Sequence, residues 1–478
     1  MNRGVLADAR SSAMPRDGRQ TRRRCDARAV RRAWAFGACL GLGACAGYRP
    51  LPLAEPPVAR LADLRVPASS LPASAPATHR FDASDGLDVT EVAMLAVADN
   101  PELRRLRDDL GVAQAQAFAA GLLPDPQLTA EKDRPTSRQP GLTRAFTLGL
   151  GYDLGNLLTR PARVAAANGS AREVHLSLLW NEWQTVARAR QLFDRIDALQ
   201  AQARRLRGER DALAPLQPVI ERALAAGDLT WDGAGNGLRA ATDVAARLAD
   251  VERRASQADH DLHDLLGLDA TVALHLVGAP YRIDPTDHGI DAALATMTRR
   301  RPDLRALQAG YAAQEAKLRA AILAQFPAIT LGFARARDTG DVYTSGFQVA
   351  LSLPLFDRNR GNIAIEAATR RRLHDDYAAR VLAARNDIDR LLHDMRSYRD
   401  ERPALLKNAR ELARARDAAE RSYRAGLIDW PTYLAIRAGS LAADNDLAAL
   451  EQNAHEQAIA LDTLVGGAWP QTPEPSSP

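Results

Sequence analysis

The 478-residue chain is rich in Ala, Leu, Arg, Asp and Glu and has only 5% aromatic residues, a composition suited to long helices rather than to a thick mixed core. Its three cysteines, Cys25, Cys39 and Cys45, all lie in the first tenth of the sequence, which excludes a disulfide framework or a cysteine-based metal site further on. The formal charge of +4 would suggest an anionic partner, but residues 1–44 carry ten Arg and three Asp and leave −3 on the remainder, so no nucleic-acid partner is expected.

Arg22, Arg23, Arg24, Arg28, Arg31 and Arg32 precede an apolar run from Ala33 to Ala44. The run has the length of a signal-peptide core and is too short for a membrane helix. Leu42-Gly43-Ala44-Cys45 is similar to the lipobox of bacterial lipoproteins. That similarity implies removal of residues 1–44 and a diacylglycerol and N-acyl chain, palmitate among them, on Cys45, with no other cofactor. An ordinary signal with a chance cysteine is the alternative. Ala46 stands where an Asp would favour retention in the inner membrane, which implies transfer to the outer one. Residues 45–85 hold many Pro and Ala without a hydrophobic period and read as a tether.

Regular structure is expected from Asp88, an N-cap with Val92, Leu95 and Ala96 on one face. Asn100-Pro101 should end that helix and begin another, in which Leu103, Leu106, Leu110, Ala113 and Ala117 form a 3-4 seam. An offset of 201 finds Arg301-Pro302, with Leu304, Leu307, Tyr311, Gln314 and Leu318 on the same seam. Pro126 and Pro327 then each end a helix and open a hairpin, expected at 126–155 and 327–356. In the outgoing strands Phe146, Leu148, Leu150, Tyr152 and Leu154, and Phe347, Val349, Leu351, Leu353 and Leu355, alternate with small or polar residues. A dyad period over about ten residues is that of a membrane-spanning strand, although a half-buried strand of a soluble sheet gives the same pattern.

Each hairpin leads into a long helix, about Leu157 to Ala226 and Asn362 to Ala425, with Pro215, Pro218 and Pro403 expected to kink or break them. Unbroken, each would extend on the order of 100 Å. Tyr377, Val381, Ala384, Ile388, Leu391, Met395 and Tyr398 keep a heptad in the second, and Leu179, Trp183, Val186 and Phe193 hold similar slots in the first, with Arg190 intruding. Both end at related turns, Ala226-Gly227-Asp228-Leu229 and Ala425-Gly426-Leu427-Ile428, followed by Trp231 and Trp430, 199 apart. Return helices close each repeat. The expected organisation is a first repeat at 86–268, a linker at 269–289 packed outside the helical body, a second repeat at 290–468 and a disordered tail at 469–478.

Four strands cannot close a barrel, and open strand edges in hydrocarbon leave backbone groups unsatisfied. Since bacterial barrels begin at about eight strands, at least two copies are required and three give twelve. The expected fold class is mainly α with a membrane β part: coiled-coil helices in an α-barrel continuous with a β-barrel.

With these elements placed, the chain resembles the TolC-like outer-membrane efflux factors, lipoprotein branch, from Cys45 to Trp469. The resemblance rests on the Asn100-Pro101 and Arg301-Pro302 starts, the Gly-containing turns, and Leu265-Leu266-Gly267-Leu268 with Leu464-Val465-Gly466-Gly467. It implies a homotrimer inserted in outer-membrane lipid, docked on a periplasmic adaptor (membrane fusion) protein and an inner-membrane pump of the resistance-nodulation-division type. Leu353-Pro354-Leu355-Phe356-Asp357-Arg358-Asn359-Arg360-Gly361-Asn362-Ile363 resembles the outer-membrane components of cobalt-zinc-cadmium-type cation exporters, which makes heavy-metal cations the expected cargo. Drugs or secreted polypeptide in the same duct, or a non-conducting coiled-coil lipoprotein scaffold, are the alternatives.

The resemblance places adaptor docking and the gate at the helical turns, hence at Gly227, Asp228, Leu229, Gly426, Leu427 and Ile428. The two glycines cap helices whatever else they do, and Leu427 and Ile428 are expected to be exposed apolar residues at the tip. Tyr423 matches a tyrosine of the constricted end. The family's acidic pair is unmatched, since Thr432 and Ala435 stand there, and Asp429 is the substitute gate candidate. No catalytic grouping is found and no enzyme is expected. Gly149, Gly151 and Gly155 imitate a dinucleotide loop without a following βαβ unit. His260 and His263 share a helix face without a third ligand and read as solvated, so no metal site is expected.

Overall fold

The structure is a computed structural model that describes residues 48–53, 64–66, 79, 81–136, 139–227, 231–281 and 287–466. Residues up to Pro57 form a separate unit, of which 48–53 are without regular structure; the fold is that of the second unit. Cys45, Asp228 and Leu229 lie outside the described residues.

Helix α1 (Val89–Asp99) begins at Asp88, whose carboxylate accepts from Thr90 N and Glu91 N while Glu91 returns a bond to the Asp88 amide. This reciprocal arrangement satisfies donors that would otherwise be orphaned at the helix start. Helix α2 (Pro101–Gly121) is capped by Asn100 Oδ1 on Leu103 N at 2.9 Å, with Pro101 in the first turn. Strands β1 (Gln127–Asp133) and β2 (Ala145–Asp153) form the first hairpin. Helix α3 runs from Gly155 to Leu213, passes through a 3-10 turn at Ala214–Leu216 and continues as α4 (Gln217–Ala226). The break falls at Pro215, which lacks the amide for the helical ladder. Helix α5 (Trp231–Leu266) completes the repeat.

The second repeat follows the same order: α6 (Asp287–Arg300), α7 (Pro302–Leu323), β3 (Ala328–Arg337), β4 (Tyr343–Ser352), α8 (Arg360–Arg424) and α9 (Trp430–Val465). Pro403 does not break α8. Pro403 and Arg399 are both exposed, so water can satisfy the carbonyl that Pro403 leaves without a donor.

The strand expected at Phe347–Phe356 lies instead at Tyr343–Ser352. Leu353 to Phe356 have left the sheet, because Pro354 cannot donate to a ladder and Leu355 N turns back onto Leu353 O at 2.9 Å. Two left-handed residues, Arg358 and Asn359 (φ 49° and 54°), then redirect the chain into α8, and Asn359 Nδ2 is held by Ala321 O. Much of the segment that resembles cation exporters is therefore a strand-to-helix joint.

Helix α3 is the central element, packing on α1, α2, α5, α7 and α9, while α8 packs on α7 and α9. Gly169 permits a close approach of α3 to α7, since a Cβ there would lie 2.8 Å from that of Ala313. Val186, Phe193, Ile196, Leu199 and Leu206 of α3 share the main core with Leu248, Val251, Leu262 and Leu266 of α5 and with α1. The heptad of α8 buries Ala384, Ile388 and Leu391 against Ile290, Met297, Leu304 and Leu461. The intruding Arg190 is accommodated by Tyr281, whose ring centroid lies 3.8 Å from its guanidinium carbon, and by Asp462 at 3.7 Å.

The linker is anchored by backbone bonds from Leu87 N to His275 O and from Val277 N to Leu87 O. His263, expected in solvent, is only 3% exposed. Its ring nitrogens each lie 2.7 Å from a carbonyl oxygen, Asp259 O and Val272 O. It faces inward because the linker folds back over this end of α5. His260 is exposed and bonds only to Ser256 O.

Candidate functional site: a spanning sheet and distant helical tips

The four strands form one antiparallel sheet in the order β1-β2-β3-β4, so β1 and β4 are open edges within one chain. Register places Leu128, Leu150, Phe333 and Phe347 in one cross-strand row, Tyr152, Leu331 and Val349 in the next, and Ile329 beside Leu351. Most of these side chains are exposed, Phe347 to 90%. The opposite face carries rows of small or polar residues, Thr129-Gly149-Ala334-Gly346 and Gly151-Gly332-Gln348. Toward the loop end Phe146 meets Tyr343 edge-on, with Arg337 over the Tyr343 ring. The apolar rows from Ile329 to Phe333 extend about 13 Å, and the next rows of the same face, Ala130-Leu148-Arg335-Ser345 and Lys132-Phe146-Arg337-Tyr343, mix apolar with polar and basic residues. No helix among the described residues is long and apolar enough to cross a membrane.

Beyond the sheet, α2 packs on α3, α3 on α7 and α7 on α8, a four-helix wall whose flanks are α2 and α8. Those flanks expose Phe118 (71%) and Ile365 (63%). Sheet and wall are thus both open at their two sides, with apolar residues at the margins.

At the far end Gly227 and Gly426 adopt positive φ, 79° and 72°, the left-handed geometry that closes a helix. Gly426 N donates to Tyr423 O and Leu427 N to Ser422 O, each at 2.9 Å. Leu427 stands 76% exposed. Ile428, expected beside it in solvent, turns inward and packs on the main core, as does Trp430; the side chain of Trp231 is outside the described residues. The Asp429 carboxylate caps α9 by accepting from Thr432 N at 3.0 Å, and that bonding lowers its pKa. Both gate candidates are engaged at the first turn of α9: Asp429 caps it, and Tyr423 stacks face to face on Tyr433 with centroids 4.8 Å apart.

Tyr433 leads to a connection that the sequence does not display. Its hydroxyl accepts from Arg437, and Arg437 forms a two-pronged pair with Glu209, Nε to Oε1 at 2.8 Å and Nη2 to Oε2 at 2.6 Å. The Glu209 carboxylate raises the Arg437 pKa above its ordinary value despite partial desolvation. The i,i+4 spacing of Tyr433 and Arg437 was available from the sequence, but Glu209 lies on α3 in the other repeat.

One trio with ligand chemistry comes together among the described residues: His79, Asp88 and Glu91 have a ligand atom each within 4.8 Å of one another. The carboxylates already cap α1 and accept from Asp82 N, which accounts for them without an ion.

Against known proteins, residues 293–467 match the model of the outer membrane efflux protein family. That match lies within the second repeat, and members of the family are transport ducts, not enzymes. A curated relative, the pyoverdine export outer membrane protein OpmQ of Pseudomonas putida, is 29% identical over 178 residues, which are 36% of this chain and 38% of that protein; the match thus spans well under half the relative's length. Among solved structures, CusC, studied for transmembrane channel formation, aligns with a TM-score of 0.67 at 18% identity, covering 85% of this chain and 99% of that one. The CmeC outer membrane channel of Campylobacter jejuni aligns with a TM-score of 0.69 at 13% identity, covering 90% and 96%. The fold is that of the TolC-like channels, with both repeats included.

Proposed function

We propose that three copies of this chain assemble into the outer-membrane exit duct of a tripartite efflux pump. The observation that carries the reading is the sheet: four strands with one apolar and one small or polar face, open at both edges, continuing into helices of 59 and 65 residues. Three such sheets joined edge to edge give twelve strands, an apolar exterior and a polar lumen. The helices then enclose a passage whose far end, with Gly227 and Leu427, docks on a periplasmic adaptor beneath which an inner-membrane pump supplies the energy. Diacylation of Cys45 would anchor the chain to the same membrane.

For the cargo, the resemblance of Leu353–Ile363 supports cobalt-zinc-cadmium-type cations, while the export of pyoverdine named for OpmQ supports an organic cargo. Purified protein in a planar bilayer should conduct as a trimer. A reproducible absence of current with the adaptor present would leave only a non-conducting scaffold. Deletion followed by growth on zinc, cobalt, cadmium and a drug panel decides the cargo, and unchanged metal tolerance would overturn the cation reading.

A further inference from the structure

We propose that a cleft between α3 and α7 is an oxyanion site, binding a carboxylate or phosphate group between the guanidinium groups of Arg172 and Arg305. The cleft has a volume of about 370 Å3, and its lining includes Asn168, Arg172 and Leu176 of α3 with Arg305, Gln308 and Ala309 of α7.

Arginines at neighbouring helix contacts are answered by carboxylates: Arg107 by Glu182, Arg190 by Asp462, Arg195 by Glu456 and Arg301 by Asp303. The side chains of Arg172 and Arg305 take part in no ion pair or hydrogen bond among the described residues. They share one cleft with like charge, and desolvation together with the Arg172 charge depresses the Arg305 pKa. Two cations held together without a counterion repel, and an oxyanion between them converts that repulsion into two charge-assisted bonds. Guanidinium groups suit this task because their planar donors match carboxylate and phosphate geometry. The Asn168 side chain has no hydrogen bond among the described residues and adds a neutral donor. Gln308 is held in place by Thr298 O and the Tyr377 hydroxyl at 3.1 and 2.9 Å. Leu176 and Ala309 are buried and close the apolar end of the cleft.

Position argues against both a lipid headgroup and the cargo as the occupant. Arg172 lies 17 residues into α3, about 26 Å from the strand junction. Arg190 lies 18 residues further, about five helical turns, and so faces the same side of α3; that side carries Tyr281 of the linker. The cleft therefore opens on the linker side of the wall. In the proposed duct, on which this last step rests, that side is the outer surface, exposed to periplasmic solutes.

The experiment is calorimetric titration of the full chain, purified in detergent, with inorganic phosphate and separately with succinate at matched ionic strength. Saturable binding of one anion per chain is expected for at least one of them, and the preferred anion tells whether the natural ligand presents phosphate or carboxylate. Arg172→Gln and Arg305→Gln should each weaken it about tenfold, as loss of a charge-assisted bond implies, with oligomeric state and single-channel conductance unchanged. No saturable binding of either anion, or equal binding by both variants, overturns the site. A change in conductance or ion selectivity in either variant overturns its outward placement. Absence of conductance in the unmodified protein overturns the duct and leaves the binding result standing.

Discussion

Arg437 and Glu209 meet with Nη2 and Oε2 2.6 Å apart, although 228 residues separate them in the chain. The pair ties the second repeat's return helix to the first repeat's long helix, and both side chains are shielded, at 9% and 14% exposure. Removing one partner of a buried pair leaves the other charge without compensation. Arg437→Ala should therefore lower stability by about 3 kcal/mol, measured by denaturant unfolding of the detergent-solubilised protein. Arg437→Met with Glu209→Met should recover much of that loss; an equal or larger loss in the double variant would show that the charges are not the source.

His263 supplies a pH dependence. Burial by itself would lower its pKa, but the Val272 and Asp259 carbonyls, with the Asp259 and Asp264 charges, outweigh burial and raise it. Both ring nitrogens face carbonyl oxygens, so both can donate only in the imidazolium form. A folded-state pKa above the unfolded one contributes stability that is complete below the unfolded value of about 6.5 and is lost as pH rises through the folded value. Amide exchange of residues 269–277 should accordingly be slower at pH 6 than at pH 8, beyond the intrinsic change in exchange chemistry. His263→Gln should abolish that difference.

Much of the fold was legible because its signals are local and occur twice. Asn100-Pro101 and Arg301-Pro302 mark helix starts, the dyads of β2 and β4 mark one sheet face, and Ala384, Ile388 and Leu391 hold a seam by spacing alone. The alternation overstates β4, because Leu353 and Leu355 continue it past Pro354, whose missing amide ends the strand. The candidate site was less legible, because it depends on which side of the chain is covered. Leu427 and Ile428 are adjacent apolar residues, yet one is exposed and the other packs on the core. Glu209 owes its role to a helix of the other repeat and His263 to the linker folding back over it, and no spacing announces either.

The two residues at the Gly426 turn should separate folding from docking. Gly426 has φ +72°, where a Cβ is strained, so Gly426→Ala should cost about 1 kcal/mol or more and lower the unfolding midpoint. Leu427 is exposed and makes no core contact to lose. Leu427→Asp should leave the midpoint unchanged and weaken adaptor capture in a pull-down from reconstituted components. Normal capture by Leu427→Asp would remove this turn from the docking surface.

The flanks of the helical wall test the assembly itself. Phe118 lies three residues before the end of α2 and Ile365 five residues after the start of α8, so both sit within about two helical turns of the sheet. In a closed ring of copies α8 of one chain lies beside α2 of the next, and these two side chains fall at similar heights on the shared seam. A carboxylate there would have to be desolvated against an apolar neighbour. Phe118→Glu and Ile365→Glu should each shift the purified protein from trimer toward monomer in sedimentation velocity at matched detergent, with helical circular dichroism retained. Leu382→Glu, also on α8 but 60% exposed farther from the sheet, serves as the comparison, and equal dissociation by all three would mean that added charge, not this seam, controls the oligomer.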